Sequence, residues 1–465
     1  MLSGGLSLLE WVVLVQRELL LFAAVFFLIG ALDEFAVDFA WLWLRLTGRA
    51  RPAIYDPAQP GRPPLRPAAV FIPAWREDRV IGATVRHMLR VWPDRGLRIY
   101  VGCYCNDPAT IEAVAAAACG DDRVRLVINE AEGPTTKADC LNRLYAALEA
   151  DETRGGARPA AILLHDAEDM VDPAALSLID DGLRDADLVQ LPVLPLPQPG
   201  SRWIGSHYCE EFAESHSKGL VVRDAFGAGI PLAGVGCGVA RDALARLIES
   251  RGVDAPFAAE SLTEDYELGL SIAELGGRTR FVRRRSVDGR LIATRAFFPA
   301  RVHQAVRQKT RWILGIAFQG WDRLGWHGRP VEIWMRLRDR RGPFAALLLG
   351  IALGVFVLAG IASAADLAGL GVMPELPPAI EAILFVNIAA LLWRCAFRFA
   401  FTAREYGVGE GVRAVLRLPV ANFIAMLAGR RALFAYVRSL RGAKQPWDKT
   451  EHDAHPALLP HEVRS

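Results

Sequence analysis

Excess of any one kind is scarce in this 465-residue sequence. Lysine and arginine number 54 against 52 aspartates and glutamates, a formal net charge of +2. Bulk charge therefore argues against a polyanionic partner, nucleic acid included. The seven cysteines are scattered and form no CxxC pair. Reduced thiols in a cytosolic domain are expected rather than a zinc site or a disulfide framework. No GxGxxG follows the first strand-like run, where FIPAWRED stands instead. No GxxxxGK occurs, and GPTTKAD at 133–139 supplies only half of a phosphate loop. Dinucleotide and P-loop chemistry are thus disfavoured. Internal repeats and low-complexity segments are missing as well.

What is present in quantity is apolar sequence. Hydrophobic residues make up 52% of the chain, and their excess is concentrated at the two ends. Three stretches have the length a bilayer core demands, at about 19–46, 343–363 and 379–400. The first lacks a small-residue cleavage site and is too long for a signal peptide, so a retained anchor is expected. Asp33, Glu34 and Asp38 weaken its second half, which must leave the bilayer or pack against other helices. Arg45, Arg49 and Arg51 follow the first stretch, Arg336, Arg338, Arg340 and Arg341 precede the second, and Arg394, Arg398 and Arg404 close the third. The loop between the last two has no lysine or arginine. By the positive-inside rule, residues 50–340 face the cytoplasm. From about 410 onward, arginine recurs among apolar residues at helical intervals, interrupted by Pro419. That texture predicts a pair of interfacial amphipathic helices rather than a fourth span.

The expected organisation is an N-terminal membrane anchor (1–50), a linker (51–67), a globular domain (68–330), two spans (331–404), and interfacial helices with a polar tail (405–465). The linker's proline and glycine density forbids regular structure. In the globular part, strand-like runs at 68–75, 97–104, 124–129 and 160–166 alternate with helical patterns. This rhythm predicts an α/β, mostly parallel, doubly wound sheet with its ligand beyond the strand ends.

One such end is unusual. The run ILLHDAED closes a buried strand with Asp166, Glu168 and Asp169. Unpaired carboxylates at that depth cost several kcal/mol, so a cation or a basic partner is implied. Three further clusters follow the same order along the chain: Asp107 in CNDPAT, Thr263-Glu264-Asp265 at a helix start, and Gln308, Arg311 and Trp312 in QKTRW. Each has a plain structural alternative. Asp107 suits an Asx turn. Glu264 and Asp265 suit a helix dipole. The QKTRW run suits a juxtamembrane basic patch.

Taken together, the lone Asp, the acidic triplet, the TED and the QxxRW resemble the membrane-embedded family 2 glycosyltransferases. That group contains cellulose and hyaluronan synthases. NDPAT, HDAED and a late WDKTEH are also similar to the phage adsorption protein B group. The resemblance covers roughly residues 68–320 and implies a GT-A-type nucleotide-sugar-binding domain flanked by transmembrane α-helices. It implies Mg²⁺ or Mn²⁺ bound by Asp166 with Glu168 or Asp169, since glutamate stands where the family motif has its second aspartate. A divalent ion of this kind takes carboxylate oxygens and shares its shell with phosphate and water. The resemblance further implies Asp265 as general base with Glu264 beside it, and Asp107 on the nucleotide base. Arg311 and Lys137 would meet the donor diphosphate. Gln308, Trp312 and the glycine-rich run with Gly236 and Gly238 would meet the acceptor. Trp447, Lys449, Thr450 and His452 would form a flap. The implied function is inverting transfer from a nucleotide sugar, a UDP-sugar being the expected donor, to a growing glycan at the bacterial inner membrane. Transfer of one sugar to a polyprenyl phosphate and a non-catalytic role in an export or receptor complex are the alternatives. Three spans are few for a polymer channel, so an export partner or an oligomer is expected to complete it.

Overall fold

The computed structural model of the chain describes residues 8–50, 53–198, 200–369, 376–442 and 454–458. Among the described residues, nine strands form two sheets. They are β1 (Ala68–Pro73), β2 (Leu97–Tyr104), β3 (Val124–Asn129), β4 (Ala161–Leu164), β5 (Leu188–Gln190), β6 (Val193–Pro195), β7 (Cys237–Ala240), β8 (Thr279–Phe281) and β9 (Thr294–Ala296). The main sheet runs β3-β2-β1-β4-β7-β5-β8, and β6 pairs with β9 apart from it. Strands β3, β2, β1 and β4 are mutually parallel. Strand β7 runs antiparallel between β4 and β5, and β8 is parallel to β5.

The sequence of β1, AAVFIP, is apolar throughout because both of its faces are covered, and all six residues are buried. Val70 and Ile72 join Ile99 and Val101 of β2 against Val85, Met88 and Val114, from the helices Ile81–Val91 and Pro108–Ala118. Ala69, Phe71 and Ile162 point the opposite way, against Leu141 and Leu144 of the helix Lys137–Thr153 and Leu244 and Leu247 of the helix Arg241–Arg251. The strand period of two divides the core into these halves. At the C-terminal edge of the parallel strands, loops carry Trp75, Asp107 and Asp166.

The linker is irregular, as its composition predicts, but it is docked. The Tyr55 backbone N–H donates to the Arg285 carbonyl, its hydroxyl donates to Asp181 (2.8 Å), and its ring is buried. Arg66 continues the strap to Asp180.

Among the described residues, four helices are long and apolar enough to cross a membrane: Glu10–Leu46, Gly342–Leu367, Pro378–Tyr406 and Leu418–Ser439. The fourth exceeds the sequence expectation of three spans. Pro419 stands at its start, where a missing N–H costs nothing, so it separates this helix from Val408–Leu416 without shortening it. This helix lies along the globular domain. Ile424 and Ala428 are buried with Val306 and the half-buried Trp312. Tyr436 stacks on Phe318 and donates to Asp322. It crosses Gly342–Leu367 near that helix's first turn, where a Cβ at Gly429 would stand 2.4 Å from the Ala346 Cβ.

The acids of the first helix are packed, not solvated. Asp33 and Glu34 pair with both Arg338 and Arg341. Asp38 meets the ammonium of Lys218 at 2.6 Å and accepts from the Trp393 indole at 2.8 Å.

Candidate active site

The acid turn after β4 divides its three carboxylates between two environments. Asp169 is 1% exposed. Its Oδ2 meets His165 Nδ1 at 2.8 Å and accepts the Asp166 N–H at 3.1 Å, which ties the turn into the core. Asp166 and Glu168 are half-buried. Asp169 therefore holds the turn's shape, while Asp166 and Glu168 are the two carboxylates of the turn that keep some exposure.

Opposite the turn stands Lys137, the first residue of its helix. Thr136 fixes that start: its hydroxyl oxygen accepts the Asp139 N–H (3.1 Å) and its hydroxyl donates to the Ala259 carbonyl (2.8 Å). One turn on, Asn142 and Phe257 exchange two hydrogen bonds of 2.8 and 3.0 Å. The helix is thus bound to the segment leading into Thr263-Glu264-Asp265. Lys137 Nζ lies 2.6 Å from Asp166 Oδ1 and 3.9 Å from Glu264 Oε1. It joins the acid turn to the second acidic cluster.

Glu264 and Asp265 open the helix Glu264–Glu274, which sits close to the chain because Gly269 has no side chain. A Cβ there would stand 2.5 Å from the Ile230 carbonyl oxygen. That approach brings Gly234 against Asp265. Gly234 has φ of +77°, and a Cβ on it would lie 2.4 Å from Asp265 Oδ2 and 3.3 Å from Lys137 Nζ. Both the backbone conformation and the space demand glycine. Gly236 and Gly238, expected to face an acceptor, are instead turned inward. A Cβ on Gly236 would strike Thr294, and Gly238 lies within β7 against Ile179. Gly234 is the member of the run that reaches the acids. The GVGCG sequence alone does not distinguish them, because all three are glycines in one short segment.

The helix Val302–Ile313 carries QKTRW and continues into a π-helical turn, Leu314–Gln319. Gly315 lets that turn meet Thr263, where a Cβ would come within 2.5 Å of the hydroxyl oxygen. Arg311 is close enough to weigh on the ionisation of both Glu264 and Asp265. Trp312 is half-buried among Tyr208, Phe212 and Phe298. Gln308 is buried, and its Oε1 has no hydrogen-bond partner among the described residues.

Burial raises the Glu264 carboxyl above its ordinary range, with Asp265 adding to the rise and Lys137 opposing it. Burial likewise raises Asp265 against the pull of Lys137. Burial alone would depress the Lys137 ammonium, but Asp166, Glu264 and Asp265 outweigh it and hold the pKa up. The cleft thus surrounds one fixed cation with three carboxylates.

Asp107 lies at the edge of this arrangement. It caps the helix Pro108–Ala118, accepting from Thr110 N–H at 3.4 Å, and its other oxygen accepts the Arg76 N–H at 2.6 Å. Both of its oxygens serve the loop. On the neighbouring strand ends, the rings of Trp75 and Tyr104 meet edge to face. The expected flap residues Trp447, Lys449, Thr450 and His452 lie outside the described residues. Just beyond them, His455 is buried with Nε2 3.2 Å from the Asp169 carbonyl oxygen. No sequence pattern announces that contact.

Among the described residues, no group of three or more histidine, cysteine, aspartate or glutamate side chains forms a ready metal cage. Two hard oxygen donors, Asp166 and Glu168, fit a cation that completes its shell with phosphate and water. The ammonium held at 2.6 Å by Asp166 indicates that the position attracts positive charge.

The family described as "Glycosyltransferase like family 2" matches residues 63–315. This chain belongs to that family. The glycosyltransferase is 32% identical over 461 aligned residues to the bacteriophage adsorption protein B of Escherichia coli K12, and to the same degree to the bacteriophage N4 adsorption protein B of E. coli O157:H7. The alignment takes in 92% of the chain but 61% of those relatives' length. Among solved structures, the mannosyltransferase PcManGT of Pyrobaculum calidifontis, in complex with GDP-Man and Mn²⁺, is similar with a TM-score of 0.51 and 16% identity. That match covers 88% of this chain and 98% of the other. At this identity it establishes the GT-A-like fold and the accompanying helices, and no more.

Proposed function

We propose that the chain is an inverting, divalent-metal-dependent glycosyltransferase of the bacterial inner membrane, with its catalytic domain on the cytoplasmic side. It would extend a glycan acceptor from a nucleotide-sugar donor. The observation that carries this reading is the convergence of Asp166, Lys137, Gly234, Glu264, Asp265 and Arg311, from segments far apart in sequence, on one cleft at the C-terminal edge of the sheet.

A transferred sugar gains positive charge at its anomeric carbon while the departing diphosphate gains negative charge. Lys137 and Arg311 supply fixed positive charge to the diphosphate without reorganisation. Asp166 and Glu168 would hold the Mg²⁺ or Mn²⁺, which offsets the leaving group's charge. Asp265 takes the proton from the attacking acceptor hydroxyl, and its raised pKa suits a base. Attack opposite the departing diphosphate inverts the anomeric carbon. Trp312, held edge-on by its aromatic neighbours, offers a rigid apolar face to an acceptor sugar. The helix Leu418–Ser439 lies against the catalytic domain from Ile424 to Tyr436, which supports an interfacial position for it and three crossings for the rest.

The test is a panel of UDP- and GDP-sugars supplied with Mn²⁺ to membranes containing the full chain. Release of nucleoside diphosphate from one donor, lost in Asp265→Asn, is expected. Full turnover in that variant would remove Asp265 from the role of base. A product ladder indicates repeated addition, and a single lipid-linked sugar indicates one transfer.

A further inference from the structure

A cavity of about 1070 Å³ lies away from the catalytic cleft and shares none of its residues. Its walls are the C-terminal end of the first helix, the segment around β8, the turn at 327–332, and Arg404 at the end of the helix Pro378–Tyr406. Nine arginines line it against three carboxylates. Arg280, Arg329 and Arg336 are engaged by those carboxylates, Asp224, Glu332 and Glu274, and Arg283 by Glu405. That leaves Arg45, Arg49, Arg278, Arg284 and Arg404. Arg404 reaches only Glu405, at 3.7 Å, a carboxylate already shared with Arg283 and Arg285. Arg45, Arg49, Arg278 and Arg284 have no carboxylate within ion-pair distance among the described residues. Arg45 donates to the Ala50 carbonyl and lies over Trp41, and Arg49 lies over Trp43. Arg284 donates to the Arg283 carbonyl.

So many guanidinium groups facing one space repel each other unless an anion joins them. Burial and the nearby Arg280 both weigh against the Arg284 charge. The planar guanidinium fork matches phosphate oxygens. The volume exceeds what one inorganic phosphate fills and lies at the upper end of ligand pockets. Its rim carries Arg45 and Arg404, each in the last turn of a helix able to span a bilayer, with Trp41 and Trp43 beside them. Tryptophan and arginine at such ends belong to the depth of lipid phosphates.

We propose that this cavity binds a phosphate ester, as carried by an anionic lipid headgroup or by a soluble phosphate ester, and that Arg49, Arg278 and Arg284 grip it. The inference does not depend on the proposed donor, metal or base.

The experiment uses the full purified chain in nanodiscs, with unfolding followed by tryptophan fluorescence. Three arms are compared: phosphatidylcholine alone, phosphatidylcholine with phosphatidylglycerol, and phosphatidylcholine with dissolved glycerol 3-phosphate. Tm is expected to rise with the second or the third, and the arm that responds identifies the source. In R49Q/R278Q/R284Q the rise should vanish, and the apparent affinity for the effective phosphate should weaken about tenfold or more for each guanidinium lost. If the triple variant does not fold, the single changes R49Q and R278Q, both at exposed positions, must each reduce the rise. No rise in either arm, or an equal rise in wild type and variants, overturns the proposal. Nucleoside diphosphate release in the same preparations separates this outcome from failure of the catalytic reading.

Discussion

Two acidic triplets on this chain have nearly the same composition and opposite surroundings. Asp33, Glu34 and Asp38 in the first helix face Arg338, Arg341, Lys218 and an indole N–H, so every carboxylate is matched by a basic or donor group. In the second triplet Asp166 meets the Lys137 ammonium and Asp169 meets His165, and Asp166 and Glu168 remain partly exposed. The first set is neutralised by the protein itself and has nothing further to recruit. In the second, Asp166 stays partly exposed beside a single lysine, at the place where a cation and a diphosphate are proposed to bind. Acidity alone therefore does not mark a site; the surroundings of each carboxylate have to be read.

The contrast can be broken most severely at Asp265. Asp265→Asn should lower turnover by about 10²- to 10⁴-fold, the usual contribution of a general base. Its Tm should be unchanged or higher, because burial penalises the carboxylate it removes. A matching collapse in Tm would show instead that Asp265 belongs to the compensated class. The same raised carboxyl fixes the pH response. The base must be ionised, and its pKa in the folded chain is raised. Activity is therefore retained above that pKa and lost as pH falls through it, about tenfold per unit. The acid limb of the pH–rate profile should stand above the ordinary carboxylate value of about 4, and a limb at that ordinary value would contradict the assignment.

The opposite signature is expected in the first triplet. Lys218 is 4% exposed and also pairs with Glu214. Lys218→Met strands Asp38 and should cost about 3–5 kcal/mol of stability, seen as a lower unfolding temperature with the turnover of folded enzyme unchanged. The smallest effect sharpens the division inside the acid turn. Asp169→Asn weakens the hold on His165 and on the Asp166 N–H and should cost about 1–3 kcal/mol, with the metal requirement unaltered. Glu168→Gln should raise the metal concentration needed for activity and leave Tm alone. A reversal of these two phenotypes would exchange the roles of the residues.

Much of the fold was legible because the parallel strands are covered on both faces and so read as uninterrupted apolar runs. The expected strands at 97–104 and 124–129 coincide with β2 and β3, and β1 differs from expectation only at its end. Strand β7 was not legible. Gly238 is compatible with a core strand because Ile179 fills the space a side chain would take, yet in sequence the run resembles a loop. The order of the motifs along the chain singled out Asp166, Glu264, Asp265 and Arg311, and the structure brings these residues together. The inward turn of Asp169 was hidden, since its partners are a neighbouring histidine and its own turn. Gly234 was hidden because its reason is a contact with a residue some thirty positions away. The strap from Tyr55 to Arg66 was also invisible, being made of single contacts that leave no periodicity.

The pairing of the first helix has a consequence for biosynthesis. Asp33 finds its partners 305 and 308 positions later, at Arg338 and Arg341. At about 5–20 residues per second, roughly 15 to 60 seconds of translation separate the emergence of that carboxylate from its first neutralising arginine. During that interval the nascent first helix carries an acid without these partners. Final seating of the first helix thus waits for the ribosome to reach Arg338 and Arg341, and a truncation before Trp334 would leave Asp33 without its indole and guanidinium partners.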